Sequence, residues 1–538
     1  MPQDSPAKAT SNLFADLVQT PAGQAVARRV EPGGALAFSG MAPSAQPFFA
    51  ALLQQIFPQR PIVVVTENLK TQESFQQDLE TWLNEMRSAE GGVRNEAAAP
   101  SAILHPPSSP LFYPAWETLP HEDKLPHADV ISDRLQTLVA LADNSKPKTQ
   151  YSKLLVVTSV TALLQKTFPP GEIQNRTRSL IRGDKIAPLD LVEFLEAQGY
   201  EPEAQVSQKG ELALRGGIVD VFPPTSPWPV RLEFFGDELE SLRYFDPLTQ
   251  ISREEVSRVT LPPAGELGIL KRPAGILPAD QTKNGAAGGT PTARCSLATL
   301  LDYLPRETIF LLCGPESLAV HAAAYEQQVP QADSFFISWP DFLAELHRRG
   351  FTSAELADDE SPTETGWGEA PDEPALEDDR SLKSAAREDA RPTGPVFSSL
   401  DAFRPLAERA PEPPIAEAQR REFFQQLHRW LRQDYAVHVF CNNDGERQRF
   451  KEIWGELVEQ ASSLSSSSGI AGKLSNELDR QDACPTLHLG SLARGFICDD
   501  AKLVVVTDAE IFGRYKIQRP RRQKSAHAQA ARSALDID

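Results

Sequence analysis

Short apolar runs rich in β-branched residues alternate along this chain with stretches whose apolar positions recur every three or four residues. Ile62-Val63-Val64-Val65, introduced by Pro61, is continuous enough for a strand buried on both faces, and Phe75, Leu79, Leu83 and Met86 follow at helical spacing. Leu154 to Thr158 and Thr308 to Cys313 repeat the strand pattern. Strands alternating with helices predict parallel sheets joined by crossover helices. The region from Ala213 to Phe245 has a different texture. Gly216 to Phe222 and Val230 to Phe235 lie close together across Pro223-Pro224-Thr225-Ser226-Pro227, which predicts an antiparallel pair in a smaller α+β unit. Near the end the first pattern returns, with Ala436 to Phe440, Thr486 to Leu489 and Lys502 to Val506 as strands. A helix before them carries Phe423, Phe424, Leu427, Trp430 and Leu431, a stripe expected to be core rather than a base-stacking surface. The expected class is therefore α/β: a parallel-sheet domain, an inserted small α+β domain and a further C-terminal α/β domain.

Three stretches interrupt this pattern. Residues 271–294 are rich in Gly, Pro, Ala and Thr, 351–394 are acidic and contain several prolines, and 461–483 are serine-rich from Ser462 to Gly469. Such compositions solvate better than they pack, and the three are expected to be tethers or tolerated loop insertions. The chain then divides into 1–170 as the first part of the parallel-sheet domain and 171–263 as the α+β insert. Residues 264–350 form the second part, carrying the 271–294 insertion, and 351–394 an acidic linker. An additional α/β domain covers 395–512, and a basic linker 513–538.

Composition narrows the possibilities. The 538 residues carry a net charge of −20, so the molecule as a whole repels nucleic acid and DNA contact requires a local basic patch. The cluster that offers one is Arg514, Lys516, Arg519, Arg521, Arg522, Lys524 and Arg532, which reads either as a DNA-tracking linker or as a solvated segment. Five cysteines without a Cys-x-x-Cys pair argue against a zinc site or a disulfide framework and fit a reducing cytoplasm. The stretch from Met1 to Thr20 lacks the apolar core of a signal peptide. No run approaches the roughly 18 apolar residues of a membrane helix. A soluble, cytoplasmic, multidomain protein is expected.

Four motifs invite chemistry. Phe38-Ser39-Gly40-Met41-Ala42-Pro43-Ser44-Ala45-Gln46-Pro47 lies between an apolar run and a helix-like one, where a phosphate-binding loop belongs. A working loop needs a Lys where this chain has Gln46 and a Ser or Thr where it has Pro47, while Pro43 and Ala45 replace inner glycines. Gly40, Ser44, Gln46 and Pro47 thus mark either a relic phosphate loop or a chance resemblance, and on both readings no ATP is expected to bind there. Asp508-Ala509-Glu510 ends an apolar strand as a magnesium-binding acidic motif does, or as the polar end of any buried strand does. His121, Glu122 and His127 lack zinc-site spacing, and Pro120 and Pro126 break the helix such a site needs. On the strand from Val230 to Phe235, Arg231, Glu233 and Phe235 share one face and Leu232 and Phe234 the other. With Leu232 and Phe234 inward, Arg231 and Phe235 are exposed together near Arg215, the composition of an interface hot spot. The other reading pairs Arg231 with Glu233 on the surface and buries Phe235 elsewhere.

Three blocks in order carry a family resemblance. Pro114-Ala115-Trp116-Glu117-Thr118-Leu119-Pro120-His121-Glu122 runs on to Asp129-Val130-Ile131-Ser132-Asp133-Arg134-Leu135. Leu214-Arg215-Gly216-Gly217-Ile218-Val219-Asp220-Val221-Phe222-Pro223 follows, then Arg231 to Glu238 with Ser241 to Asp246. Together they resemble the N-terminal portion of the transcription-repair coupling factors, the Mfd family, whose first modules are similar to the excision-repair protein UvrB. The resemblance implies a UvrB-like first domain with a degenerate phosphate loop, matching Gly40, Ser44, Gln46 and Pro47. It implies a second domain that binds UvrA, in which two arginines and a phenylalanine match Arg215, Arg231 and Phe235. It further implies no catalytic residue and no metal in this chain, with ATP and magnesium expected only in motor domains that the sequence, ending at Asp538, does not reach. RNA polymerase and duplex DNA are expected partners through those C-terminal domains, and the chain is expected to be a monomer without a membrane partner. The rivals are UvrB itself or a helicase-type ATP-dependent repair enzyme, and a DNA-binding module acting through the basic tail. The enzyme needs an intact loop near Gly40 and an aromatic-rich hairpin where this chain has only Phe112 to Lys124.

Overall fold

The continuous apolar runs assemble as neighbouring strands whose side chains alternate between two cores. The structure, a computed structural model, describes residues 13–89, 110–142, 153–271, 297–358, 395–403, 413–467 and 484–512. Strands β1 (Ala35–Phe38), β2 (Ile62–Thr66), β3 (Leu111–Tyr113) and β4 (Leu155–Ser159) come from the first part of the chain. Ile62, Val64, Leu155 and Val157 join one core, while Val63, Val65 and Val156 join the other. Each fully buried Val or Leu contributes about 1.5–3 kcal/mol, so a strand covered on both faces stays apolar at every position. The helix Leu69–Ala89 lays Phe75, Leu79, Trp82, Leu83 and Met86 against the first of these cores.

The chain then leaves the sheet to build a smaller unit. Its strands are β5 (Arg178–Ile181), β6 (Glu201–Pro202), β7 (Glu211–Arg215), β8 (Ile218–Val221), β9 (Val230–Phe235), β10 (Glu238–Phe245), β11 (Ser252–Glu255) and β12 (Arg258–Leu261). Six of them form one sheet in the order β11-β10-β9-β8-β7-β6, and β12 pairs with β5. The β8–β9 pair is antiparallel, as the alternating pattern predicts. Helix Pro188–Ala197 covers the inner face, where Leu191 and Leu195 pack against Leu212, Val219, Leu232 and Leu242.

Strands β13 (Ile309–Cys313) and β14 (Thr352–Leu356) return to complete the first sheet, whose order is β1-β14-β13-β2-β4-β3 with every pairing parallel. This corrects the expected linker boundary. Thr352–Leu356 does not open an acidic tether but fills the space between β1 and β13, and four of its five residues are buried there. Its neighbours on both sides supply the ladder that Thr-Ser-Ala-Glu-Leu does not announce by composition.

The last unit has β15 (Ser398–Ser399), β16 (Ala436–Cys441), β17 (Thr486–Leu489), β18 (Phe496–Cys498) and β19 (Leu503–Thr507), in the order β15-β18-β19-β16-β17. Helix Pro413–Arg432 buries Phe423, Phe424, Leu427 and Trp430 in its core, as the stripe predicts. Helix Asp444–Ser467 runs into the serine-rich stretch expected to be a loop, because no Gly or Pro interrupts it between Glu456 and Ser467. The remainder of that stretch, most of the 271–294 and 351–394 segments, and the basic tail lie outside the described residues. The first and last units share a core in which Trp82 meets Phe48 and Phe440, each with ring centroids 4.9 Å apart, and Phe496 lies 5.2 Å from Phe48. No helix among the described residues is long and apolar enough to cross a membrane.

Candidate protein-interaction face

Two hairpin tips stand side by side at one end of the smaller sheet. The first is a two-residue turn, Gly216-Gly217, between Arg215 and Ile218. Gly216 takes φ +62°, the left-handed region that glycine enters without steric cost. A Cβ on Gly217 would stand 2.9 Å from the Phe234 carbonyl oxygen, so a side chain there would push the two tips apart. They are joined because Phe234 donates its N–H to the Gly217 oxygen at 2.8 Å. The second tip follows Phe235, whose ring side chain is 77 % exposed.

The expected alternation holds on the inner face, where Leu232 is buried and Phe234 packs partly against the core. The expectation that Arg231 and Phe235 are exposed together is corrected for Arg231. The sheet's outer face has a small core of its own, Val206, Ala213, Phe222 and Phe245. The Arg231 guanidinium lies 4.7 Å from the Phe245 ring centroid, and only 16 % of its side chain is exposed. Glu233, the alternative partner, accepts from the Ser241 hydroxyl and acts on Arg231 through its charge, while the Arg231 fork goes to Asp220. Arg231 binds Asp220 through a fork, Nε to Oδ1 at 2.8 Å and Nη2 to Oδ2 at 2.9 Å. Arg215 donates from Nη2 to the same Oδ2 and keeps 47 % of its side chain exposed, while Asp220 is fully buried. The hydrogen bonds that Arg231 donates to Asp220 hold its pKa above the ordinary arginine value, outweighing desolvation.

Asp220 escaped the sequence reading although a signal was present. It is a lone charge within Ile218-Val219-Asp220-Val221-Phe222. A two-residue turn at Gly216-Gly217 sets Ala213 opposite it, and the next strand sets Arg231 opposite it on the other side. Pairing arithmetic thus places Asp220 beside Arg231 and diagonal to Arg215.

The first of the three blocks, from Pro114 to Leu135, has a different job. Arg134, fully buried, forks onto Glu266 with Nε to Oε2 at 2.8 Å and Nη2 to Oε1 at 3.0 Å. It also donates to the Pro114 carbonyl and to the Tyr113 hydroxyl, while Trp116 Nε1 and Thr167 Oγ1 donate to Glu266. This network ties the exit of the inserted unit to the parallel sheet. His121 and Glu122 sit in the loop between β3 and the helix Ala128–Ala142.

The loop from Gly40 to Pro47 does connect a strand to a helix, Gln46–Ile56. Its backbone is engaged by the protein. Met41 N–H donates to Ala357, Ala42 N–H to Phe397, and the Gly40 oxygen accepts from Phe397. A Cβ on Gly40, at φ +65°, would stand 2.9 Å from Val396. Ser44 Oγ donates to the Gly495 carbonyl at 3.0 Å, buried Gln46 turns back to the Met41 carbonyl at 3.4 Å, and Pro47 supplies no N–H in the first helical turn. These residues do not fit a triphosphate, which needs a cationic side chain and free N–H donors. The loop lines a cleft of about 530 Å³ together with Asp78, Asn442, Arg494 and Asp508. Glu510 faces inward there and accepts from the Gly495 and Thr507 N–H groups and from the Thr507 hydroxyl. Glu510 therefore closes the end of β19, while Asp508 lines the cleft and accepts from Asn442 Nδ2 at 3.2 Å.

Comparison with known proteins places this geometry. Residues 179–267 match the family model for the UvrB interaction domain, a span that contains Arg215, Asp220, Arg231 and Phe235. The transcription-repair-coupling factor of Bacillus subtilis is 24 % identical over 525 residues, 93 % of this chain and 40 % of that protein. That of Haemophilus influenzae is 33 % identical over 222 residues, 37 % of this chain and 19 % of that protein. That of Escherichia coli is 39 % identical over 151 residues, 28 % of this chain and 12 % of that protein. The chain spans well under half the length of these relatives. With the interaction domain set into a parallel-sheet unit and similarity running over nearly its whole length, this chain resembles the N-terminal portion of the transcription-repair-coupling factors and carries their UvrB interaction domain.

Proposed function

We propose that this chain recruits UvrA in transcription-coupled nucleotide-excision repair, acting as a docking module and not as a motor. The observation that carries the reading is Phe235, a large aromatic ring 77 % exposed at a hairpin tip within the matched UvrB interaction domain. Leaving such a ring in water costs free energy that a desolvating partner recovers, and exposed aromatics flanked by arginine are the usual anchors of protein interfaces. Arg215 beside it offers charge-assisted hydrogen bonds to carboxylates of UvrA. The Gln46 and Pro47 substitutions, with loop donors engaged by Ala357 and Phe397, favour a structural role for the relic phosphate loop and no ATP turnover by this unit.

UvrA capture by the whole chain tests the reading. Wild type should bind, and Phe235→Ala and Arg215→Ala should each weaken binding roughly tenfold or more, as loss of an interface anchor does. Wild-type affinity in both variants would remove the site. A release of phosphate from ATP by the purified chain, abolished by substitution in the 40–47 loop, would favour the enzyme instead.

A further inference from the structure

The two arginines of the docking face are not equivalent. Arg231 spends its Nε and one Nη on Asp220, directs its other Nη toward the Gln250 carbonyl at 3.4 Å and Ser252 Oγ at 3.5 Å, and lies over the Phe245 ring. Little of it is left to present to another protein. Arg215 reaches Asp220 through one Nη2 and keeps nearly half of its side chain exposed beside the tip that carries Phe235. Asp220 itself is fully buried and accepts from both guanidinium groups. A carboxylate removed from water needs its counter-charges, so the position of Arg215 is set by the demand of Asp220.

We propose that Asp220 is a positioning residue that holds Arg215 ready for docking, and that Arg231 completes this clamp without touching the partner. The proposal rests on the UvrA-docking reading for its binding readout. Its physical content is that an arginine side chain fixed before association loses less rotamer freedom on binding. The clamp is built from register alone: Ala213, Asp220 and Arg231 stand in one row across β7, β8 and β9, with Arg215 one outward position nearer the turn.

The test uses the full chain with purified UvrA, together with an arginine-specific reagent used without UvrA. Asp220→Asn keeps the shape and removes the charge. It should weaken UvrA binding roughly tenfold, and the Asp220→Asn/Arg215→Ala pair should bind no more weakly than Arg215→Ala alone, because Asp220 acts through Arg215. Arg231→Lys keeps a cation against Asp220 but not the two-point fork. Because Arg231 acts only through the clamp, the Arg231→Lys/Arg215→Ala pair should bind no more weakly than Arg215→Ala alone, and Arg215→Ala should flatten the salt dependence of binding. In the absence of UvrA, phenylglyoxal should modify Arg215 faster in Asp220→Asn than in wild type. Full additivity of the two single penalties, or unchanged Arg215 reactivity in Asp220→Asn, would overturn the proposal. Should Asp220→Asn lose its circular-dichroism signature, the Arg231→Lys/Arg215→Ala pair decides: full additivity of the two single penalties overturns the clamp. Wild-type UvrA affinity in both Arg215→Ala and Phe235→Ala would instead sink the docking reading, and the phenylglyoxal rates would still decide whether Asp220 holds the arginine.

Discussion

Two buried carboxylates, each served by arginine, organise the molecule at the scale of single residues. Asp220 gathers the guanidinium groups of Arg215 and Arg231, and Glu266 receives Arg134, Trp116 and Thr167 at the base of the inserted unit. Glu266→Ala would leave the Arg134 guanidinium buried without its counter-charge, and we expect a loss of about 3–5 kcal/mol, read from urea unfolding of the full chain. Phe235→Ala should behave in the opposite way. A ring 77 % exposed contributes little to folding, so the variant should unfold within about 0.5 kcal/mol of wild type while losing affinity for its partner. The two kinds of residue looked alike in the sequence. Trp116 and Arg134 stood in a block as distinctive as that of Arg215 and Phe235, and only the hydrogen bonds separate anchor from docking contact. Arg231 shows the limit of strand alternation: parity gives the face, but the outer face turned out to have its own small core around Phe245.

Elements were most legible where burial on both faces forces an unbroken apolar run, as at Ile62–Thr66, Leu155–Ser159, Ile309–Cys313 and Leu503–Thr507. Thr352–Leu356 was not legible, because its strand character comes from neighbours already in place and not from its own side chains. The contact between helix Leu69–Ala89 and the segment from Ser491 to Gly495 was equally invisible, since its partners lie about four hundred residues apart in sequence. There the Ala493 N–H donates to Asp78 at 2.9 Å and Thr81 Oγ1 donates to the Ser491 carbonyl at 2.8 Å. Burial pushes the Asp78 carboxyl up to about 7, against the pull of the Ala493 N–H. The folded state then binds more protons than the unfolded chain from about pH 4 to pH 7, and the stability of this joint falls as pH rises through that window. Asp78→Asn should remove that slope, raising the melting temperature at pH 8 and matching wild type near pH 4. An unchanged slope would assign the titration elsewhere. At the same joint, Trp82→Ala empties the space between Phe48 and Phe440 and should cost about 3–5 kcal/mol in the same unfolding assay.

The described residues join a parallel-sheet unit and a mixed-sheet unit through a shared aromatic core, and a smaller, mostly antiparallel unit is tied to the first by hydrogen-bonded buried charge. The loop from Gly40 to Pro47 lies at the junction of the two larger units, where Ser44 and Gly40 bind protein backbone. The tip of the smaller unit holds the exposed Phe235. A net charge of −20 disfavours nucleic acid as the partner of that tip and does not disfavour a protein surface that meets Arg215 with carboxylates. The most direct measurement is the equilibrium affinity of the full chain for UvrA, wild type against Phe235→Ala, at matched salt. Docking through this face requires wild-type binding and a loss of roughly tenfold or more in the variant with the fold intact; equal affinities for the two proteins would contradict it.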